Sequence, residues 1–288
     1  MVEQELRSIF RRGSKTYFYS TMFFPAEVKD DIFRLYSFSR VADDLVDTIP
    51  QDKSGFMSFR ERYRQALAGE PAHDLVIDSF VDLSRRKGFD PGWAEAFLRS
   101  MEMDLSVSRY RTLEDLKVYL YGSAEVIGLF MCRIMGLPRE AEHPARMLGR
   151  AMQFINFIRD IDEDLTLGRQ YFPEESLLEF GLPSLREEDA RANPKAFRRF
   201  VRAQLCQYCK WQGEALRGFH FIPWKYRLPI MTASDMYNFT AMRIMRDPFV
   251  VYRKKVKPSI PRIVTGYTLN RLSRPNRGQD GGCMAERG

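Results

Sequence analysis

Histidine and cysteine are scarce in this chain, with three His and four Cys among 288 residues. So few cysteines exclude a disulfide-stapled scaffold at this length, and no apolar leader run precedes them, so a reducing cytoplasm is the expected compartment. Cys206 and Cys209 form one CxxC pair, but no second pair and no spaced His pair completes a zinc set. They read as two thiols in a packed helix. His73, His143 and His220 stand apart from the acidic clusters described below, and neither GxSxG nor GxxxxGK[ST] occurs. The usual nucleophile elbow and phosphate loop are therefore excluded. No uninterrupted apolar run reaches the roughly 18 to 20 residues that span a bilayer, so membrane contact is expected to be peripheral. Internal repeats, composition-biased linkers and strand-like alternation are equally sparse.

What is present is helical period. Hydrophobic residues make up 44% and charged residues 29%, the balance of a globular chain and not of a disordered or multispan one. The spacing of apolar positions predicts helices over 28–48, 56–67, 74–87, 93–107 and 113–135. Further helices are expected from about Arg139 or Ala145 to Leu167, and over 197–216 and 231–254. Gly69, Gly88, Gly136 and Gly168 stand where helices should stop, and Thr112 with Asp115 makes a capping-box start. The expected architecture is all-α. One helical domain fills residues 1–257, built around a central cavity between two Asp-rich helices, and residues 258–288 form a basic, flexible tail.

Two acidic clusters carry the chemistry. In Asp43-Asp44-Leu45-Val46-Asp47, Asp43 and Asp47 stack on one helical face, with Asp44 flanking and with Arg40 and Tyr36 on the same side. In the central helix, Gln153, Asn156, Asp160 and Asp164 fall at i, i+3, i+7 and i+11, one stripe of oxygen ligands with Arg159 beside it. A lone DDxxD is usually a solvated acidic face. Two such clusters on largely apolar helices, each with an arginine and amide or phenol groups, are costly to bury unpaired and suit a hard divalent cation shared with a substrate diphosphate.

These residues resemble the squalene/phytoene synthase family, the head-to-head prenyltransferases. The resemblance runs from Ser14 to about Arg253. It rests on Ser14-Lys15-Thr16-Tyr17-Phe18, on Leu35-Tyr36 to Arg40 leading into DDLVD, and on Tyr119-Leu120-Tyr121-Gly122-Ser123-Ala124-Glu125-Val126-Ile127-Gly128. Its most specific part is Gln153-Phe154-Ile155-Asn156-Phe157-Ile158-Arg159-Asp160 through Glu163-Asp164, followed by Gly168-Arg169-Gln170-Tyr171-Phe172-Pro173. The resemblance implies Mg²⁺ (or Mn²⁺) held by Asp43 and Asp47 from one wall and by Asp160 and Asp164 from the other. It implies diphosphate sites lined by Ser14, Arg40, Gln153, Asn156 and Arg159 and closed by Arg169 and Tyr171. Tyr36, Tyr121 and Tyr237 would contact diphosphate or shield a carbocation. The implied reaction joins two prenyl diphosphates through a cyclopropylcarbinyl diphosphate to a linear hydrocarbon.

For the product, the expectation is two geranylgeranyl diphosphates giving phytoene, because the small side chain of Thr21, seven residues after Ser14, leaves room for a longer prenyl chain. The alternatives are a squalene or dehydrosqualene synthase using farnesyl diphosphate, with NADPH needed only for squalene, and a non-catalytic helical assembly factor. The intact aspartates speak against the last. The net charge of +7 is local: between Pro248 and Gln279 stand eight basic residues and no acidic one. That favours a C-terminal segment docking on anionic lipid, or a solvated tail, over a nucleic-acid surface.

Overall fold

Helix boundaries follow local side-chain chemistry closely. Asp74 accepts from the N–H groups of Val76 and Ile77 at 3.0 and 3.1 Å, and Gly88 closes that helix in the left-handed region at φ 60°. Thr112 and Asp115 form the reciprocal capping box, with Thr112 Oγ1 accepting from the Asp115 N–H and the Asp115 carboxylate accepting from the Thr112 N–H. Caps of this kind contribute about 1 kcal/mol each. The structure, a computed structural model, describes residues 2–13 and 15–272.

In chain order the helices are α1 (Val2–Gly13), α2 (Lys15–Thr21), α3 (Ala26–Asp47), α4 (Lys53–Ala68), α5 (Leu75–Lys87), α6 (Pro91–Met103), α7 (Leu113–Leu120) and α8 (Val126–Met135). They continue with α9 (Glu142–Arg159), α10 (Ile161–Thr166), α11 (Glu174–Glu179), α12 (Glu187–Ala192), α13 (Pro194–Leu216), α14 (Trp224–Arg246) and α15 (Ile260–Leu272). Among the described residues there is no strand. An isolated bridge between Arg109 and Gln170 ties the loop after α6 to the loop after α10. The fold is all-α, as the apolar period predicts.

Apolar side chains gather in two large clusters. One centres on Phe38, Phe59 and Phe80 of α3, α4 and α5, the other on Phe154, Phe197 and Phe200 of α9 and α13. Between them runs a continuous segment in which the π-helical turn Tyr121–Glu125 joins α7 to α8. This segment lies very close to α9. A Cβ on Gly128 would come within 2.3 Å of the Ala145 carbonyl oxygen, and one on Gly149 equally near that of Ala124. Glu125, fully buried on the π turn, accepts from Arg146 Nε and Arg150 Nε of α9 at 2.8 and 2.7 Å.

Four features depart from the sequence reading. Leu113–Met135, 23 residues with a hydropathy of 1.3, is long and apolar enough to cross a membrane, yet it packs as a mostly buried interior element against α6 and α9. The central helix breaks at Asp160, whose φ of −103° and ψ of 18° separate α9 from α10. In a regular helix neighbouring side chains splay about 100° apart, and the break lets Arg159 and Asp160 pair. α14 starts before Pro229, which lies in its second turn. Order continues past Pro258 into α15, held on α14 and α2 by Ile263, by Tyr267 stacked on Phe23 at 3.9 Å, and by Asn270 donating to Asp235 at 2.6 Å. The remainder of the expected tail, beyond Leu272, lies outside the described residues.

Candidate active site

One cavity of about 1280 Å³ opens between α3 and the α9–α10 pair. Asp43, Asp44 and Asp47 line it from α3, while Gln153, Asn156, Arg159, Asp160, Glu163 and Asp164 line it from the opposite side. Tyr36, Arg40, Arg169, Tyr171 and Tyr237 reach the same space. The two stripes seen in the sequence thus become two facing walls. α1 closes over the first wall because Gly13 lacks a side chain: a Cβ there would sit 2.8 Å from both the Tyr36 hydroxyl and Arg40 Cδ.

Each wall carries its own cations. Arg40 donates to Asp43 at 2.9 Å and pairs with Asp44 one turn on. Arg159 forks onto Asp160 with contacts of 2.8 and 2.5 Å, and Lys255 pairs with Asp160 at 3.4 Å and with Glu163. Arg169, on the loop after α10, crosses between the walls. Its Nη1 donates to Asp47 at 2.7 Å and its Nη2 to the Val46 carbonyl at 2.6 Å, while its own N–H binds the Asp164 carbonyl.

The arginines do not balance the acids. Burial and then the like charge of Asp47 push Asp43 up to about 8, against the opposing pull of Arg40. Its side chain is about one-third exposed, and the cavity is the space it is exposed to. Burial, followed by Asp160 and Glu163, raises Asp164 well above the carboxylate range. Among the described residues no lysine or arginine pairs with Asp164, and the buried Asn156 Oδ1 has no hydrogen-bond partner. Among the described residues the site is short of positive charge and of donors. A hard divalent cation fits this all-oxygen set. Because no three acidic, His or Cys groups converge into a closed cage among the described residues, phosphate oxygens and water would complete the shell, as Mg²⁺ prefers.

Three groups escaped the sequence reading. Asp104, one residue past α6 and 3% exposed, accepts from the Tyr119 and Tyr171 hydroxyls at 2.8 Å each and lies 3.9 Å from Arg169 Nε. Burial raises it to about 6, against the pull of Arg169 and both phenols. Tyr119 lines the cavity where Tyr121 was expected. Two residues apart on a helix are about 200° apart in direction, so the turn that aims Tyr119 inward turns Tyr121 away. The Tyr121 ring lies outside the lining and under the Arg146 guanidinium, 5.3 Å from its centroid. Lys255 and Lys257 also line the cavity. Burial, then Lys255 and Arg159, lowers the Lys257 pKa. Lone residues such as Asp104 and Lys257 carry no spacing signal. Ser14 lies outside the described residues.

The rest of the lining is largely apolar. Thr21 at the end of α2, Phe24 beyond it, Leu35 of α3, Ile127 and Met131 of α8, Leu148 of α9 and Met236 of α14 extend the space away from the carboxylates, with the hydroxyl residues Ser20, Ser39, Ser123 and Thr240 among them. Cys206 and Cys209 sit half-buried on α13, away from this lining.

Comparison with known proteins identifies the family of the chain. Residues 10–262 match the family described as squalene/phytoene synthase. The chain is similar to the 15-cis-phytoene synthase of Synechococcus elongatus, at 28% identity over 88% of this chain and 86% of the relative. It is similar to the phytoene synthase of Rhodobacter capsulatus at 30% identity, over 80% of this chain and 69% of that one. A crystal structure of a dehydrosqualene synthase in complex with ligand shares the fold with a TM-score of 0.82 at 22% identity, covering 94% of this chain and 95% of the other. With most of its length matched, the chain belongs to the squalene/phytoene synthase family, whose members are prenyltransferases.

Proposed function

We propose that the protein joins two C20 prenyl diphosphates head to head, through a cyclopropylcarbinyl diphosphate, to give phytoene. The observation that carries this reading is one cavity whose polar end lies between two carboxylate walls laced with arginine and whose remaining lining is largely apolar. Asp43 and Asp47, facing Asp160 and Asp164, are the ligands for Mg²⁺ or Mn²⁺. When bound, such ions neutralise diphosphate charge and stabilise it as it departs.

The chain's own groups account for the rest. Arg40, Arg159 and Arg169, already held beside carboxylates, present N–H donors to diphosphate oxygens, and the Gln153 and Asn156 amides stand along the same stripe. The C–O bond of one allylic diphosphate breaks. The double bond of the second supplies the electrons for the new C–C bond, and loss of a proton closes the cyclopropane. Ionisation of the remaining diphosphate then lets the ring open into the linear chain. Phe24, Leu35, Ile127 and Met236 exclude water from these cations, and the rings of Tyr36 and Tyr237 offer aromatic faces to them. A cation discharged by proton loss needs no reductant, whereas hydride discharge to squalene would need NADPH.

Support for C20 donors comes from Thr21, 4% exposed and small where it lines the cavity, and from the phytoene synthases among the similar proteins. The fold shared with a dehydrosqualene synthase keeps a second reading, two C15 donors, in play. Incubation with C15 and C20 prenyl diphosphates and Mg²⁺, with and without NADPH, tests the choice by the mass of the extracted hydrocarbon. A C40 product independent of NADPH is expected, and turnover of the C15 donor alone would overturn the reading.

A further inference from the structure

We infer that the outward face of α15 is a docking surface for an anionic lipid bilayer, placing the cavity's polar end beside the membrane. The helix divides cleanly. With four residues advancing about 40°, Ile263, Gly266, Tyr267 and Asn270 share one arc, and Ile260, Val264, Thr268 and Leu272 form a stripe on the other. The first arc is the packed one. Ile263 is buried, Tyr267 stacks on Phe23 and Asn270 binds Asp235.

The second arc is apolar yet faces outward. Ile260, Val264 and Leu272 are 43%, 50% and 73% exposed, and Leu269 beside them is 59% exposed. Thr268 of this arc and Thr265 beside it turn their hydroxyls back onto the helix. Thr265 Oγ1 donates to the Pro261 carbonyl and Thr268 Oγ1 to the Val264 carbonyl, both at 2.9 Å, so their polar groups are satisfied without water. Such a face is suited to an apolar surrounding.

Charge identifies the occupant. Arg271 stands within the arc between Ile260 and Val264, Arg262 lies beyond it with its guanidinium 4.2 Å from the Phe239 ring centroid, and Lys254 precedes the helix, within a stretch from Pro248 to Gln279 that holds eight basic residues and no acidic one. Asp235 on α14 is engaged on the packed side by Asn270 and sits in the field of Arg262. An exposed apolar stripe that carries an arginine is suited to lie in the interface of an anionic leaflet, its long side chain reaching the headgroups. Continuity with the cavity gives the contact a use. Lys255, Lys257 and Pro258 line the cavity immediately before α15 begins, and α2 and α14, on which α15 packs, form part of its wall. This use rests on the synthase reading, since long-chain donors and a hydrocarbon product partition into lipid, but the binding itself does not.

The test is co-sedimentation of the full chain with vesicles of phosphatidylcholine alone or with about 30 mol% phosphatidylglycerol, without substrate. Binding is expected only with phosphatidylglycerol and should fall as NaCl rises to about 0.5 M. The paired substitution Val264→Asp and Leu272→Asp should weaken it at least tenfold. Leu178→Asp, at an equally exposed leucine on α11, should leave it unchanged. Turnover of detergent-dispersed prenyl diphosphates by the paired variant shows that its fold survives, and turnover lost in the parent as well would sink the synthase reading without touching this one. If the paired variant loses its fold, Arg262→Gln with Arg271→Gln replaces it and should also weaken binding. Three outcomes overturn the inference: no binding by the parent, equal binding to neutral vesicles at any salt, or binding unaltered in a folded variant. A dimer in solution that the paired substitution dissolves, with no vesicle binding, would assign the face to a second copy instead.

Discussion

The two acidic walls reach similar chemistry by different means. On α3 the carboxylates ride one unbroken helix, and the cation that holds Asp43 and Asp44 is Arg40, on the same face within a turn. On the other side the helix stops at Arg159 and resumes at Ile161. There the cations come from a neighbour in sequence, Arg159, and from a distant segment, Lys255. Periodicity alone fixes the first wall, whereas tertiary contact finishes the second. Arg169 fastens them together, since its backbone belongs to the α10 end and its side chain to Asp47.

The largest effects should come from removing one carboxylate at a time. Asp43→Asn and Asp160→Asn should each lower turnover by about a thousandfold or more while leaving the far-ultraviolet circular dichroism helical. Near-normal rates in either variant, at saturating Mg²⁺, would break the symmetry between the walls and retire the two-wall cation site.

Next in size is the fastening between them. Arg169→Met leaves Asp104 buried with its phenol partners but no cation, and it frees Asp47. The expected cost is about 3 kcal/mol or more in a urea melt, with a rate loss of at least about a hundredfold. Arg159→Met, whose partner Asp160 keeps Lys255, should lose less stability. Equal losses from the two would show that the walls are not joined at Arg169.

A smaller effect is expected from Asp104, read through pH. Its folded value near 6 lies above the ordinary 3.8, so the native state binds the extra proton between those values. Stability from this group is therefore highest below about pH 4 and declines as pH rises towards 6, by about 3 kcal/mol at most. The difference in melting temperature between the parent and Asp104→Asn, both without divalent ions, should change across that window. A difference that stays flat there would place the carboxylate in a more polar setting than its burial implies.

The smallest effect separates two tyrosines. Tyr119→Phe removes a donor to Asp104 and should cost about 1 kcal/mol of stability together with a several-fold rate loss. Tyr121→Phe should leave the rate within about twofold, because its hydroxyl lies outside the cavity lining. Reversed ranks would return Tyr121 to the site.

Much of this was legible in the sequence, and the residues show why. Caps such as Thr112 with Asp115, stops such as Gly88, and the stripes at 43–47 and 153–164 are local, and local chemistry repeats at helical intervals. The Asp160 break was hidden because the apolar period runs straight through it; only the pairing of Arg159 with Asp160 marks it. Asp104 was hidden for the opposite reason. It is a single carboxylate whose partners, Tyr119 and Tyr171, come from separate segments, so no spacing in the chain announces it. α15 escaped notice because its outside mixes Ile260, Val264, Leu269 and Leu272 with Arg262, Arg271 and two threonines, which blurs the contrast that marks a surface helix.

Glu125 gives the Leu113–Met135 helix a direction of choice. As it stands that segment is long and apolar enough to partition into lipid, and the acidic Glu125 near its middle opposes such partitioning by about 3 kcal/mol, with Arg133 further along acting in the same sense. The same carboxylate is repaid only when Arg146 and Arg150 arrive on α9, so the residue that disfavours insertion is also the one that registers α8 against its partner. One side chain thereby weighs on both sorting and folding.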